Sequence, residues 1–110
     1  MQHWNLRSLP VESHEPVVLS STRGESRTVV LQLAGGDALR DHQVHERAHV
    51  VVIDGEVEID QGGETISGGP GLMAVFDPGE RHEVRARSDA RLLLVLAPWP
   101  GEGHPGARDA

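Results

Sequence analysis

Residues 71–86 read GLMAVFDPGERHEVRA, and this apolar run, tight turn and alternating run decide the fold. In the turn, Pro78 presets its own φ and Gly79 supplies a left-handed backbone position. After the turn, His82 shares a strand face with Val84, because successive side chains of a strand alternate between faces. The pattern predicts that His82 points into the protein.

Further short β-rich runs lie on both sides of this stretch, separated by Gly, Asp and Pro, and none has a helical period with caps. Asp54-Gly55 between two apolar runs predicts a two-residue hairpin. The pattern is typical of an all-β sandwich or barrel with antiparallel strands. Strands are predicted at Val17–Ser20, Arg27–Leu33, His49–Ile53, Glu56–Asp60, Glu64–Ser67, Leu72–Phe76, His82–Ala86 and Arg91–Ala97.

The composition excludes several kinds of chemistry. The chain has 110 residues, a formal charge of −7, no Cys and no Tyr, and its basic residues are all Arg. Thiolate, lysine Schiff-base and tyrosine acid–base mechanisms are therefore excluded. The acidic balance argues against nucleic-acid binding, which needs a basic surface. Seven His remain as the most informative residues.

The sequence also bears on targeting and on the extent of the domain. The first residues lack a basic stretch followed by an apolar one, so no signal peptide is expected. The longest apolar run, Leu92 to Pro98, is too short to span a bilayer. We expect a cytoplasmic protein with one domain over residues 1–98. Residues 99–110 are rich in Pro and Gly and are predicted to form a C-terminal tail.

From Val29 to Ala97, the chain resembles the cupin superfamily, in particular its small single-domain microbial members. A first motif, residues 36–55, has Gly36, His42 and Gly55 in register, and a second, residues 71–86, has Gly71, Gly79 and His82. Asp77 occupies the usual proline position of the second motif, and Pro78 comes one residue later. The resemblance implies an antiparallel jelly-roll barrel, also called a double-stranded β-helix.

The resemblance also implies a metal site inside the barrel. His42 fills the first ligand position of the family and His82 the last, while Val44 stands at the second histidine position and Ala48 at the glutamate position. His45 becomes the third ligand if the loop around it bulges. Gln43 takes that role if the loop shifts the other way, and His49 is predicted to face away from the interior. A divalent transition metal such as Zn, Ni, Fe or Cu fits these ligands.

Two functions stay open from the sequence. One is a metal-dependent enzyme with unassigned catalytic residues, and the other is a noncatalytic small-molecule-binding or regulatory module without metal. Either would use an interior pocket. The predicted lining is Val44, Ala48, Val50, Val52, Met73, Val75, Phe76, Val84 and Leu94.

We also expect the chain to form a homodimer. The apolar N-terminal strand around Pro16–Leu19, with Trp4 and Leu6 ahead of it, is the predicted contact. An exposed strand edge tends to pair with another chain. The other expected partner is a small-molecule ligand or substrate, with no nucleic acid and no membrane.

Overall fold

The computed structural model describes residues 1–42 and 46–98, with the backbone alone for residues 40–42. The described residues form strands β1 (Val17–Ser21), β2 (Arg27–Leu33), β3 (Ala38–His42), β4 (Arg47–Asp54), β5 (Val57–Gln61), β6 (Glu64–Gly68), β7 (Met73–Phe76), β8 (His82–Ala86) and β9 (Ala90–Ala97). All pairs between them are antiparallel. The predicted all-β class is confirmed. None of the described residues belongs to a helix with the length and apolarity that spanning a bilayer would require. The predicted tail, residues 99–110, lies outside the described residues.

The strands form two sheets, in the orders β1-β2-β9-β4-β7 and β3-β8-β5-β6. Four connections cross between the sheets at one end: β2–β3, β4–β5, β6–β7 and β8–β9. We call this the closed end. The opposite end, where β3, β5, β7 and β9 finish and β4, β6 and β8 begin, is called the open end.

Strand β3 was not among the predicted strands. Its sequence, ALRDH, has no β-branched or aromatic residue and ends in charged and polar positions, so no local propensity marks it. It forms because it pairs with β8 at the edge of the second sheet. Long-range pairing here overrides the local signal.

The predicted hairpin at Asp54-Gly55 is wrong. β4 and β5 belong to different sheets and do not pair, so this turn is a crossover at the closed end. Gly55 has φ +81°, and a Cβ there would lie 2.1 Å from the carbonyl oxygen of Asp89. A glycine is required because two crossovers touch at this point. The same Asp-Gly signal thus serves a sheet-to-sheet turn.

The core lies between the inner faces of the two sheets. Val50 and Val52 of β4 pair with Leu94 and Leu92 of β9, and all four are at most 2% exposed. The second sheet contributes its own alternating row, in which every other residue is buried. The buried cluster is Val29, Leu31, Leu33, Ala48, Val50, Val52, Val57, Ile59, Phe76, Val84, Ala86, Ala90, Leu92, Leu94 and Leu96.

Candidate functional site

The turn between β7 and β8 positions the first residue of β8, His82. The backbone N–H of Glu80 donates to the carbonyl of Asp77 at 3.1 Å, and the N–H of Asp77 donates to Oε1 of Glu80 at 2.5 Å. Gly79 has φ +81°, so it supplies the predicted left-handed position. Arg47, at the start of β4, forms an ion pair with Asp77. The turn is therefore held by hydrogen bonds within it and by an ion pair to the adjacent strand β4.

His82 lies inside the barrel at the open end, as its alternation with Val84 predicted. Its side chain is 3% exposed and its ring stacks on that of Phe76, with centroids 3.8 Å apart and planes 4° from parallel. Nδ1 lies 3.3 Å from the carbonyl oxygen of Glu80. Because a carbonyl only accepts, this contact favours the tautomer with the proton on Nδ1, which leaves Nε2 as the basic nitrogen.

Burial lowers the pKa of His82 below its ordinary value, and the nearby carbonyl and charge of Glu80 oppose that shift only in part. Desolvation penalises the charged imidazolium, so the ring is neutral at pH 7. A neutral imidazole is the form that coordinates a metal.

Glu46 is a buried carboxylate that the sequence reasoning missed. It is 2% exposed, and both of its carboxylate oxygens are shielded from solvent. It lies in the bend two residues before Ala48, and its burial matches the alternation of buried residues that continues through Ala48 and Val50. The alternation of β4, extended one step before the strand, could have predicted that Glu46 is buried. The family motif instead places the carboxylate ligand at position 48.

A β-bulge sets the register of His42. Leu39 pairs with Val84, and three residues later His42 pairs with His82, only two residues away on the partner strand. The extra residue places His42, and not Asp41, opposite His82. Bulges often occur beside functional sites, where they change which residue faces a given side.

The described side chains do not by themselves complete a metal site. Among them, no group of three His, Asp or Glu side chains has a metal-binding arrangement. Glu46 and His82 supply two donors at the open end, and His42 contributes a backbone that pairs beside them. The predicted ligand His45, its alternative Gln43 and the predicted pocket residue Val44 lie outside the described residues.

Most of the predicted interior lining is buried. The buried members are Ala48, Val50, Val52, Phe76, Val84 and Leu94. The prediction of an interior position is wrong for Met73 and Val75, which are 57% and 45% exposed. Ala74 and Phe76 occupy the inward positions of β7, so alternation turns Met73 and Val75 outward.

His49 lies on the outward face of β4, as predicted. It is half-buried and pairs with Val75 on one side and Val95 on the other. Nδ1 is shielded from solvent and has no hydrogen-bond partner among the described residues. Its position across the sheet from the interior separates it from Glu46.

An ion-pair cluster on the outer face of the second sheet occupies other acidic residues of the region. Arg85 donates to both Asp60 and Glu58. The hydrogen bond from Arg85, supported by one from Thr65, lowers the pKa of Asp60. Asp60 is therefore a charged residue engaged outside the barrel, although it also lines a cavity next to His82.

Comparison with known proteins identifies the fold. A solved RmlC-like cupin protein from Desulfovibrio desulfuricans is similar over 89% of this chain and 96% of its own, with a TM-score of 0.75 and 22% identity. An uncharacterized double-stranded β-helix protein from Klebsiella pneumoniae is similar over 94% of each chain, with a TM-score of 0.73 and 22% identity. A conserved protein of unknown function from Streptococcus pyogenes is similar over 86% of this chain and 85% of its own, with a TM-score of 0.72 and 22% identity.

These likenesses show the fold alone. No protein among the curated ones matches the chain. The sequence model of the cupin domain matches residues 29–97, which is more than half of the chain. The chain therefore belongs to the cupin domain family.

Proposed function

We propose that the barrel binds one divalent transition metal at its open end, through Glu46, His82 and His42. The observation that carries this proposal is the burial of Glu46 and His82, at 2% and 3% exposure, at the same end of one barrel. A carboxylate and an imidazole are both donor groups that a divalent transition metal accepts. His42 pairs directly opposite His82 on the neighbouring strand, and this register supports His42 as the second imidazole ligand.

In this proposal, Glu46 supplies the carboxylate ligand that the family has at the position of Ala48. Position 48, where the family has a carboxylate, holds a fully buried methyl group that is part of the packed core. Glu46 is buried two residues before Ala48, immediately before β4 begins at the open end. We propose that it replaces the missing carboxylate, ahead of His45.

The residues around His82 orient it for this role. The stacked ring of Phe76 fixes the plane of the imidazole, and the carbonyl of Glu80 holds the proton on Nδ1. Such outer contacts of a ligating histidine set its tautomer and orientation. Its lowered pKa removes competition from protons at neutral pH.

Two imidazoles and one carboxylate suit Fe, Zn, Ni or Cu better than Mg or Ca, which prefer oxygen donors alone. A bound ion of this kind polarises an oxygen of a ligand or activates water. Three protein donors leave positions for such a ligand.

The test is a competition titration of the purified chain with Zn²⁺ and Ni²⁺ against a chromophoric chelator. Glu46→Gln should weaken binding by roughly 10–100-fold or more, and His82→Gln and His42→Ala should abolish it, since so few ligands have none to spare. Glu12→Gln, at an exposed site, and His49→Gln, on the outward face of β4, serve as matched controls that should bind like the unmodified chain. Unchanged binding by Glu46→Gln together with loss in His45→Ala would return the third position to His45.

The second candidate is a noncatalytic binding module that works without metal. The cavity of about 270 Å³ beside His82 favours it, because a ligand could occupy this space directly. Absence of stoichiometric metal from protein purified without added chelator, and no Zn²⁺ binding in the titration, would favour this function over the first.

We also propose that a second copy of the chain pairs with the free edge of β1. This strand is at the end of its sheet and pairs only with β2 among the described strands. Val18 is 44% exposed on it, and Trp4 is 42% exposed on the segment ahead. Sedimentation velocity should give a dimer that Val18→Asp converts to a monomer and Val75→Asp leaves intact. A monomer at all concentrations would contradict the proposal.

A further inference from the structure

Gln61 is a polar residue at an inward position near the open end. On β5, Ile59 points into the core, and Gln61 is the next residue in the same alternation. Asp60 pairs with Glu83, so Gln61 lies one step further along β5, beside the position of His82 on β8. The strand pairing therefore brings a polar side chain to the strand position next to a candidate metal ligand.

The side chain of Gln61 binds the carboxylate of Glu80, in the turn before β8. Nε2 of Gln61 donates to Oε2 of Glu80 at 2.5 Å, and the other oxygen, Oε1, accepts from the backbone N–H of Asp77 at 2.5 Å. Gln61 and Glu80 are both half-buried. Both oxygens of the Glu80 carboxylate are thus engaged, one within the turn and one across to β5.

The hydrogen bond from Gln61 adds a constraint that closure of the turn does not require. The N–H of Glu80 donates to the carbonyl of Asp77 at 3.1 Å, and Arg47 forms an ion pair with Asp77. These contacts close the turn and attach it to β4. The hydrogen bond from Gln61 instead fixes Glu80 relative to β5, the strand that pairs with β8. It therefore holds the residue whose carbonyl faces Nδ1 of His82.

We propose that Gln61 and Glu80 are positioning residues for the metal site. Gln61 holds the carboxylate of Glu80, and the carbonyl oxygen of Glu80 accepts from Nδ1 of His82 at 3.3 Å. Nε2 of His82 is then the nitrogen that coordinates the metal. The inference rests on the proposed function only in its effect on metal affinity, because the position of the proton on His82 is a property of the metal-free protein.

The test is the tautomer of His82 in the metal-free protein, measured by long-range ¹H–¹⁵N NMR at pH 8, where the ring is neutral. The unmodified chain should have the proton on Nδ1. Gln61→Leu and Glu80→Ala should shift part of the population to the tautomer with the proton on Nε2, and should weaken Zn²⁺ binding by roughly 10–100-fold. Glu80→Gln removes the charge but keeps a hydrogen-bonding amide, so it should retain most of the Nδ1 tautomer.

Two matched controls remove similar groups that do not contact Glu80. Gln32→Leu removes a half-buried amide whose Oε1 accepts from Nε of Arg91 at 2.9 Å. Glu83→Ala removes a carboxylate one residue from His82, on the outward face of β8. Both variants should keep the tautomer and the Zn²⁺ affinity of the unmodified chain.

Three results would overturn the inference. They are a proton that stays on Nδ1 in Gln61→Leu, an equal shift in Glu80→Gln and Glu80→Ala, and a tautomer shift that leaves Zn²⁺ affinity unchanged. A tautomer shift in a chain that binds no Zn²⁺ would contradict the metal proposal and leave the action of Gln61 on His82 intact. Thermal unfolding checks that each variant folds, and Gln61→Leu decides the outcome if Glu80→Ala does not.

Discussion

The two ends of the barrel use their residues in opposite ways. At the closed end, hydrogen bonds from backbone N–H groups join the crossovers: the N–H of Gly35 donates to the carboxylate of Asp89 at 2.8 Å, and the N–H of Glu56 donates to Oγ of Ser88 at 3.0 Å. At the open end, the buried polar residues are the ionisable Glu46 and His82, and His82 lines a cavity. The motif glycine at the closed end supports the fold, and the motif histidine at the open end is available for chemistry.

The largest expected effect comes from adding one methyl group at the closed end. Gly55→Ala places a Cβ against the Asp89 carbonyl oxygen, 2.1 Å away, at a position with φ +81°. Left-handed strain and overpacking together should lower the free energy of unfolding by roughly 2–5 kcal/mol. Denaturant unfolding measures this loss.

Gly62→Ala is the control at the open end. Gly62 has φ +58° and no atom within 4 Å of an added Cβ. Only the backbone strain remains, so the loss should be about 1 kcal/mol. Equal losses for Gly55→Ala and Gly62→Ala would remove the contrast between the two ends.

A smaller effect concerns pH at the open end. Because the folded-state pKa of His82 is lowered, the unfolded chain binds more protons between that pKa and the ordinary value of 6.5. The free energy of unfolding of the metal-free protein should therefore fall as pH drops below about 6.5, and the loss is complete below the folded-state pKa. His82→Gln should reduce this dependence in denaturant titrations from pH 8 to 5. His49→Gln should keep the pH dependence of stability, because this variant retains the buried imidazole of His82.

The smallest expected effect lies on the outer face of the second sheet. Arg85→Gln removes the donor to Asp60 and Glu58, but these ion pairs are partly exposed to solvent. Stability should change little, and less in 1 M salt, because exposed pairs are screened. The pKa of Asp60 should rise towards its ordinary value, which carboxyl NMR titration measures. A large loss of stability at high salt would mean that the cluster supports the core.

Local sequence patterns were sufficient to predict which strand residues face the interior, including His82. Alternation alone places Val50 and Val52 inside, since a strand with one buried face repeats every two residues. The same alternation indicates a buried residue at Glu46, but the family motif places the carboxylate at the position of Ala48. Met73 was placed inside against the same alternation, and its exposure of 57% shows that error.

Nonlocal pairing was not predictable from the sequence. The Asp54-Gly55 signal indicates a sharp turn but does not tell which sheet the next strand joins. β3 owes its existence to β8, and the bulge before His42 is a feature of that pairing. These features depend on contacts between residues far apart in the chain, whereas propensity is local and, for strands, weak.

The most direct test of the open-end site is long-range ¹H–¹⁵N NMR of the histidine rings during titration with Zn²⁺. The account predicts that His82 has its proton on Nδ1 before metal is added, and that its Nε2 resonance shifts on binding together with a ring nitrogen of His42. The rings of His49 and His14 should not respond. A response confined to His49, His14 or His3, with His82 unchanged, would contradict the account and place the metal on the surface.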